Sequence, residues 1–143
     1  MALYALLESA LGVERAYEIA RAHPALRGLS LGESDLRADL GISGEAGLDW
    51  PRARVVVAAR AAGLAPPAQS VFPDIRDLEA LAASCARGRE LGFLGRAAIH
   101  PRQLPVIERA YLPGPDGRFV DPAVLAGAER IVALSRRESP VPS

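Results

Sequence analysis

Leu91-Gly-Phe-Leu-Gly-Arg-Ala-Ala-Ile-His-Pro-Arg-Gln103 packs three structural events into one short stretch. Leu91-Gly92 ends a helix, because glycine takes the left-handed conformation that closes a last turn. Arg96 to Ile99 follows as a short strand, and His100-Pro101 turns the chain into another helix, proline being pre-set for a first helical turn. Upstream, Gly32-Glu-Ser-Asp-Leu-Arg-Ala-Asp-Leu-Gly41 reads the same way. The apolar run Leu26 to Leu31 stops on Gly32 and delivers a carboxylate, Asp35, at the carboxyl end of a strand. Strand-to-helix turns of this kind build the sites of α/β proteins.

Working outward, Tyr4 to Leu7 is a first apolar run that ends at Glu8, and Glu14 to Ala22 carries helical spacing until His23-Pro24 stops it. Asp49-Trp-Pro51 opens a helix that Gly63 closes. Pro67 to Phe72 is a third strand, halted at Pro73-Asp74, and Asp77 caps a helix to about Leu91. The pattern is β-α four times over, which predicts parallel strands with crossover helices. The strand ends at Glu8, Asp35, Pro73 and His100 are spaced by 27, 38 and 27 residues. That is the period of a (β/α)₈ barrel, whose eight units need ~250 residues. Four units fit, so the expected fold is α/β, the second half of such a barrel, over residues 1–103. A helical extension follows over 104–137: a short helix from Pro105, a loop at Leu112-Pro-Gly-Pro-Asp-Gly117, and an amphipathic helix opened by Asp121-Pro122. Residues 138–143 form a Pro/Ser tail.

Seventeen basic residues balance seventeen acidic ones, so there is no basic footprint for nucleic acid and no polybasic membrane patch. No apolar run approaches a membrane span, and the first residues lack the basic start of a signal peptide. The single cysteine, Cys85, sits among alanines as inert packing, and a reducing cytoplasm is the expected compartment. All seventeen basic residues are Arg, with no Lys. A Schiff base on a carbonyl substrate is therefore excluded, and carbon–carbon chemistry here must use a metal or acid–base groups.

Glu8 and Asp35 each fall just past a strand, one β-α repeat apart. Neighbouring parallel strands lie ~4.8 Å apart, so two such carboxylates converge, which suits Mg²⁺ completed by water and substrate. Two other readings stand beside this one. Glu8 also fits a first-turn helix carboxylate favoured by the dipole, and Asp35 fits a cap for a helix starting at Leu36. Asp121 before Pro122 fits an N-cap. His100 fits a turn histidine whose ring bonds a backbone carbonyl. Glu33 and Asp39 are expected to face solvent or the next helix, and Arg37 and Arg96 to snorkel at the surface.

Four segments together resemble the citrate lyase β-subunit family, which includes citryl-, malyl- and citramalyl-CoA lyases. They are Leu6-Leu-Glu-Ser-Ala-Leu-Gly12, Gly32 to Gly41, Val71-Phe-Pro-Asp-Ile-Arg-Asp-Leu-Glu79 and Gly92 to Gln103. The resemblance spans residues 3–136 in the family's order, and Ile-His-Pro-x-Gln is its most specific element. The Gly-x-x-Asp-Leu element also occurs in pyruvate-dependent hydroxy-diacid aldolases. Those lack the Ile-His-Pro-x-Gln ending and the Gly117-Arg-Phe-Val-Asp-Pro segment, so the lyase branch fits better.

The resemblance implies a (β/α)₈ barrel that holds Mg²⁺ (or Mn²⁺) through Glu8 and Asp35. It also implies a catalytic Asp at Asp121 acting on a neighbouring subunit's site, and the Ile99-His100-Pro101 turn near a bound CoA thioester. In this chain Pro122 follows that Asp directly, a departure from the family's spacing. The family's first four β-α units, with an Arg that holds the substrate's acyl and carboxylate groups, have no counterpart here. The expected function is thus that of a partial Mg²⁺-dependent CoA-ester lyase, cleaving a 3-hydroxyacyl-CoA to an acyl-CoA and a 2-oxo acid. The chain alone should be weak or inactive, and a homo-oligomer or a partner supplying the other half-barrel should cover its open edges. The alternative is a non-catalytic binding or assembly module that retains half of the barrel.

Overall fold

The computed structural model describes residues 1–112. Strands β1 (Leu3–Leu7) and β2 (Leu26–Leu31) form one parallel pair, and β3 (Ala68–Gln69) and β4 (Gly95–Arg96) form another. Between and after them run helices α1 (Ala10–Glu14), α2 (Ala16–Ala20), α3 (Glu33–Leu40), α4 (Asp49–Ala61), α5 (Leu78–Glu90) and α6 (Leu104–Tyr111). Short 3₁₀ turns at Glu45–Leu48 and Pro101–Gln103 lead into α4 and α6. The parallel β-α order is as the sequence predicts, and β2 also runs close to β3.

The sequence expectation needs local adjustment. The third and fourth strands were expected over 67–72 and 96–99, but regular pairing holds for two residues in each. Prolines at 66, 67 and 73 explain the short third strand, since they bracket it and cannot donate to a ladder. The expected helix over 14–22 is two short helices that meet at Arg15. Ser9, whose hydroxyl accepts from Gly12 N at 3.1 Å, starts the first of these.

Alternation decides which face of the first pair is buried. Leu7, Leu29 and Leu31 point into a core with Val13, Leu36 and Val55, and each fully buried leucine contributes ~1.5–3 kcal/mol. Tyr4 and Leu6, on the opposite parity, are 73% and 55% exposed. A second cluster holds α5 against α6 through Leu81, Cys85 and Ile107. The sequence-predicted helix stops hold. Gly63 and Gly92 take φ of 77° and 94°, and the following residues, Leu64 and Phe93, donate back to Ala59 O and Gly88 O. Cys85 is buried as expected, and burial pushes its thiol pKa up.

Candidate functional site

The register that pairs Leu7 with Leu31 fixes the first part of the site. Gly32 N donates to Leu7 O at 2.9 Å, which locks the ends of β1 and β2 together. Glu8 leaves β1 at that point, and its side chain lies over Gly32: a Cβ built there would meet Glu8 Cγ at 2.5 Å and Oε1 at 2.6 Å. A side chain at this position would push the exposed Glu8 carboxylate aside. Asp35 is not at the strand end itself. It lies in the first turn of α3, which begins at Glu33 rather than at Leu36, so Asp35 does not cap it.

Glu8 and Asp35 are both exposed, and neither takes a hydrogen bond or ion pair from another side chain among the described residues. Nor does any group of three or more His, Cys, Asp or Glu there form a metal site. Carboxylates without a protein partner, one just past β1 and one in the first turn of α3, have the chemistry of Mg²⁺ ligands, since that ion keeps several waters and takes one or two protein carboxylates. They do not fit a closed structural zinc site. Asp39, expected to face solvent or a helix, accepts from Ala10 N at 2.7 Å and so ties α3 to the start of α1.

The second part of the site is the turn after β4. His100 Nδ1 accepts from Arg102 N at 3.2 Å, so the ring caps a helical turn rather than bonding a carbonyl. That assignment leaves Nε2 to carry the proton. Ile99 and Pro101 are exposed. Gln103, fully buried, explains why the turn holds its shape. Its Oε1 accepts from Ile99 N at 3.0 Å and its Nε2 donates to Phe72 O at 2.8 Å, so one amide joins the loops after β3 and β4. Asp121 and the helix expected over 121–137 lie outside the described residues.

Two polar networks escaped the sequence reading. Arg52, 2% exposed, makes a two-pronged contact with Glu33 at 2.8 Å on both oxygens and a third contact with Glu45 at 2.5 Å. Burial works to strip its proton, but the two carboxylates outweigh that and raise its pKa. Glu45, raised by burial, is pulled further down by Arg52 and Arg37 and sits below the usual carboxylate range. Arg37 is therefore a paired cation, not a snorkelling one.

Arg96 is not a surface group either. Its Nε donates to Gln69 Oε1 at 3.2 Å and its Nη2 to Ser84 Oγ at 2.7 Å. Tyr111 Oη donates to the same Gln69 oxygen, and burial raises the phenol's pKa. The register across the β3–β4 pair, which makes Gln69 and Arg96 partners, brings this network together, and no local sequence signal marks it.

The model of the HpcH/HpaI aldolase/citrate lyase family matches residues 1–101. A (3S)-malyl-CoA thioesterase of Cereibacter sphaeroides is 39% identical over 120 residues, covering 79% of this chain and 40% of the relative. A citrate lyase β subunit of Mycobacterium tuberculosis, complexed with oxaloacetate and magnesium, aligns with a TM-score of 0.69 at 33% identity, over 78% of this chain and 53% of that one. The protein CitE of the same organism, in complex with magnesium, acetoacetate and coenzyme A, aligns with a TM-score of 0.71 at 33% identity, over 99% and 53%. The chain thus spans about half the length, or less, of the proteins it matches. Its mixed α/β fold is similar to about half of each of these citrate lyase β-type structures, both of which hold magnesium and the second also coenzyme A. From its parallel β-α order and these matches, the chain belongs to the HpcH/HpaI aldolase/citrate lyase family.

Proposed function

We propose that this chain carries the metal-binding half of a CoA-ester lyase, four β-α units of a (β/α)₈ barrel, and works in the cytoplasm. The observation that carries the reading is the Glu8 carboxylate folded over Gly32 with Asp35 one helical turn beyond, both without a partner among the described residues. Glu8 and Asp35 would hold Mg²⁺ or Mn²⁺. A divalent cation bound there supplies Lewis-acid polarisation of a 2-oxo acid carbonyl.

The reaction this supports is reversible cleavage of a 3-hydroxyacyl-CoA. The hydroxyl loses its proton, the carbon–carbon bond breaks, and its electron pair passes to the thioester α-carbon, which is then protonated. Asp121 is the group we assign to that α-carbon proton. The exposed Ile99-His100-Pro101 turn, with Nε2–H of His100 available as a donor, is assigned to the CoA thioester. The exposed Tyr4 and Leu6 face of β1 favours a second copy or a partner half-barrel over it. A second reading, thioester hydrolysis of the same substrate class, is favoured by the malyl-CoA thioesterase relative.

Titration with Mn²⁺ followed by electron paramagnetic resonance tests the metal reading. The wild type should bind one ion. Asp35→Asn and Gly32→Ala should each weaken binding about tenfold or more, the second by displacing Glu8 while the fold is kept. Equal binding by all three proteins overturns the assignment. Product analysis with malyl-CoA then separates glyoxylate plus acetyl-CoA (cleavage) from malate plus CoA (hydrolysis), and a metal-binding chain that makes neither is an assembly module.

A further inference from the structure

A cleft of about 520 Å³ opens between the start of α3–α4 and α5, beside the loop that follows β3. Glu8, Asp35 and His100 do not line it, although Glu33 and Ser34, next to Asp35 in α3, do. Its size falls within the ~300–1,000 Å³ of ordinary small-molecule sites. Phe72, Pro73, Ala80 and Ala83 supply an apolar wall, and four guanidinium groups reach the cleft.

The charges decide what it can hold. Arg52, Arg37 and Arg87 each have a carboxylate, in Glu33, Glu45 and Asp49. Arg96 has none among the described residues: Gln69 and Ser84 are neutral, and its guanidinium carbon lies 5.7 Å from the centre of the Phe72 ring. It is half-buried, the Cys85 thiol beside it is a further neutral neighbour, and arginine cannot shed its proton to escape the cost. One positive charge is left over in a cleft whose other ions balance.

We propose that this cleft binds a small aliphatic monocarboxylate. The carboxylate pairs with the Arg96 guanidinium, beside the Ser84 hydroxyl, and the hydrocarbon body lies against Phe72, Pro73, Ala80 and Ala83. A single uncompensated charge matches a monoanion, whereas a phosphate dianion would bring in a second charge with no partner. The apolar wall favours a hydrocarbon tail over a bare ion.

Calorimetric titration of the full chain with butyrate, butyramide and inorganic phosphate tests this. Butyrate should saturate one site, with butyramide and phosphate each about tenfold weaker or more. Arg96→Gln should remove the preference for butyrate over butyramide. Because Arg96 also bonds Gln69 and Ser84, Ala83→Trp provides a second variant: Ala83 is an exposed α5 position outside that network. It should keep the circular dichroism of the wild type and weaken butyrate about tenfold. No saturable butyrate binding, equal binding of the amide, tighter binding of phosphate, or unchanged binding by Ala83→Trp would each overturn the proposal.

Discussion

Replacing Arg52 with methionine isolates the ion cluster that shapes the α3–α4 corner. The arginine side chain is 3% exposed and its partner Glu33 15% exposed, and both Glu33 oxygens accept from it at 2.8 Å. Methionine keeps most of the buried stem, so little packing is lost, but Glu33 is left charged in a site nearly closed to water. Breaking a buried pair by removing one partner costs ~3–5 kcal/mol. The low end applies here, because Glu45 is 59% exposed and retains Arg37. A loss of ~3 kcal/mol, at ~2–4 °C per kcal/mol for a chain near this size, lowers Tm by about 10 °C. Urea denaturation followed by far-ultraviolet circular dichroism measures it directly. The double variant Arg52→Met/Glu33→Leu removes both charges and should recover at least half of the loss, since a buried ion pair is often replaceable by apolar residues. A single-variant loss below ~1 kcal/mol, or a double variant no better than the single, would refute the reasoning.

Two further outcomes follow from the same geometry. Gln103→Leu removes two part-buried hydrogen bonds, from Ile99 N and to Phe72 O, so it should cost ~1–3 kcal/mol by urea denaturation, at ~0.5–1.5 kcal/mol each; hydrogen exchange at Ile99 should speed up while exchange in β1 and β2 is unchanged. The folded-state pKa of Glu45 is depressed, so its stabilisation is present above the unfolded value of roughly 4.3 and disappears as pH falls through the lower folded value. The urea midpoint should therefore fall between pH 5 and pH 3 (about one unit either side of that value), and Glu45→Gln should flatten the fall.

The order of elements, the helix stops at Gly63 and Gly92, the buried Cys85 and the β-strand ends at Leu7 and Leu31 were all legible in the sequence. Each depends on one residue's own conformational preference or on a period of two or 3.6, which are local properties. The same locality put Glu8 at the end of β1, whereas Asp35, read as a strand-end residue, falls in the first turn of α3 because the helix already starts at Glu33. What the sequence could not decide is who partners whom across the chain. An arginine reads as a surface cation in any local window. Only the fold that brings Glu33 at the start of α3 and Glu45 in the 3₁₀ turn to the first turn of α4 buries Arg52 between them, and only the β3–β4 register turns Arg96 inward beneath Ser84. Whether a charge is exposed, paired or left over is fixed by contacts between residues 7 to 38 positions apart, from Arg52–Glu45 to Arg87–Asp49, and those exist only in the folded chain.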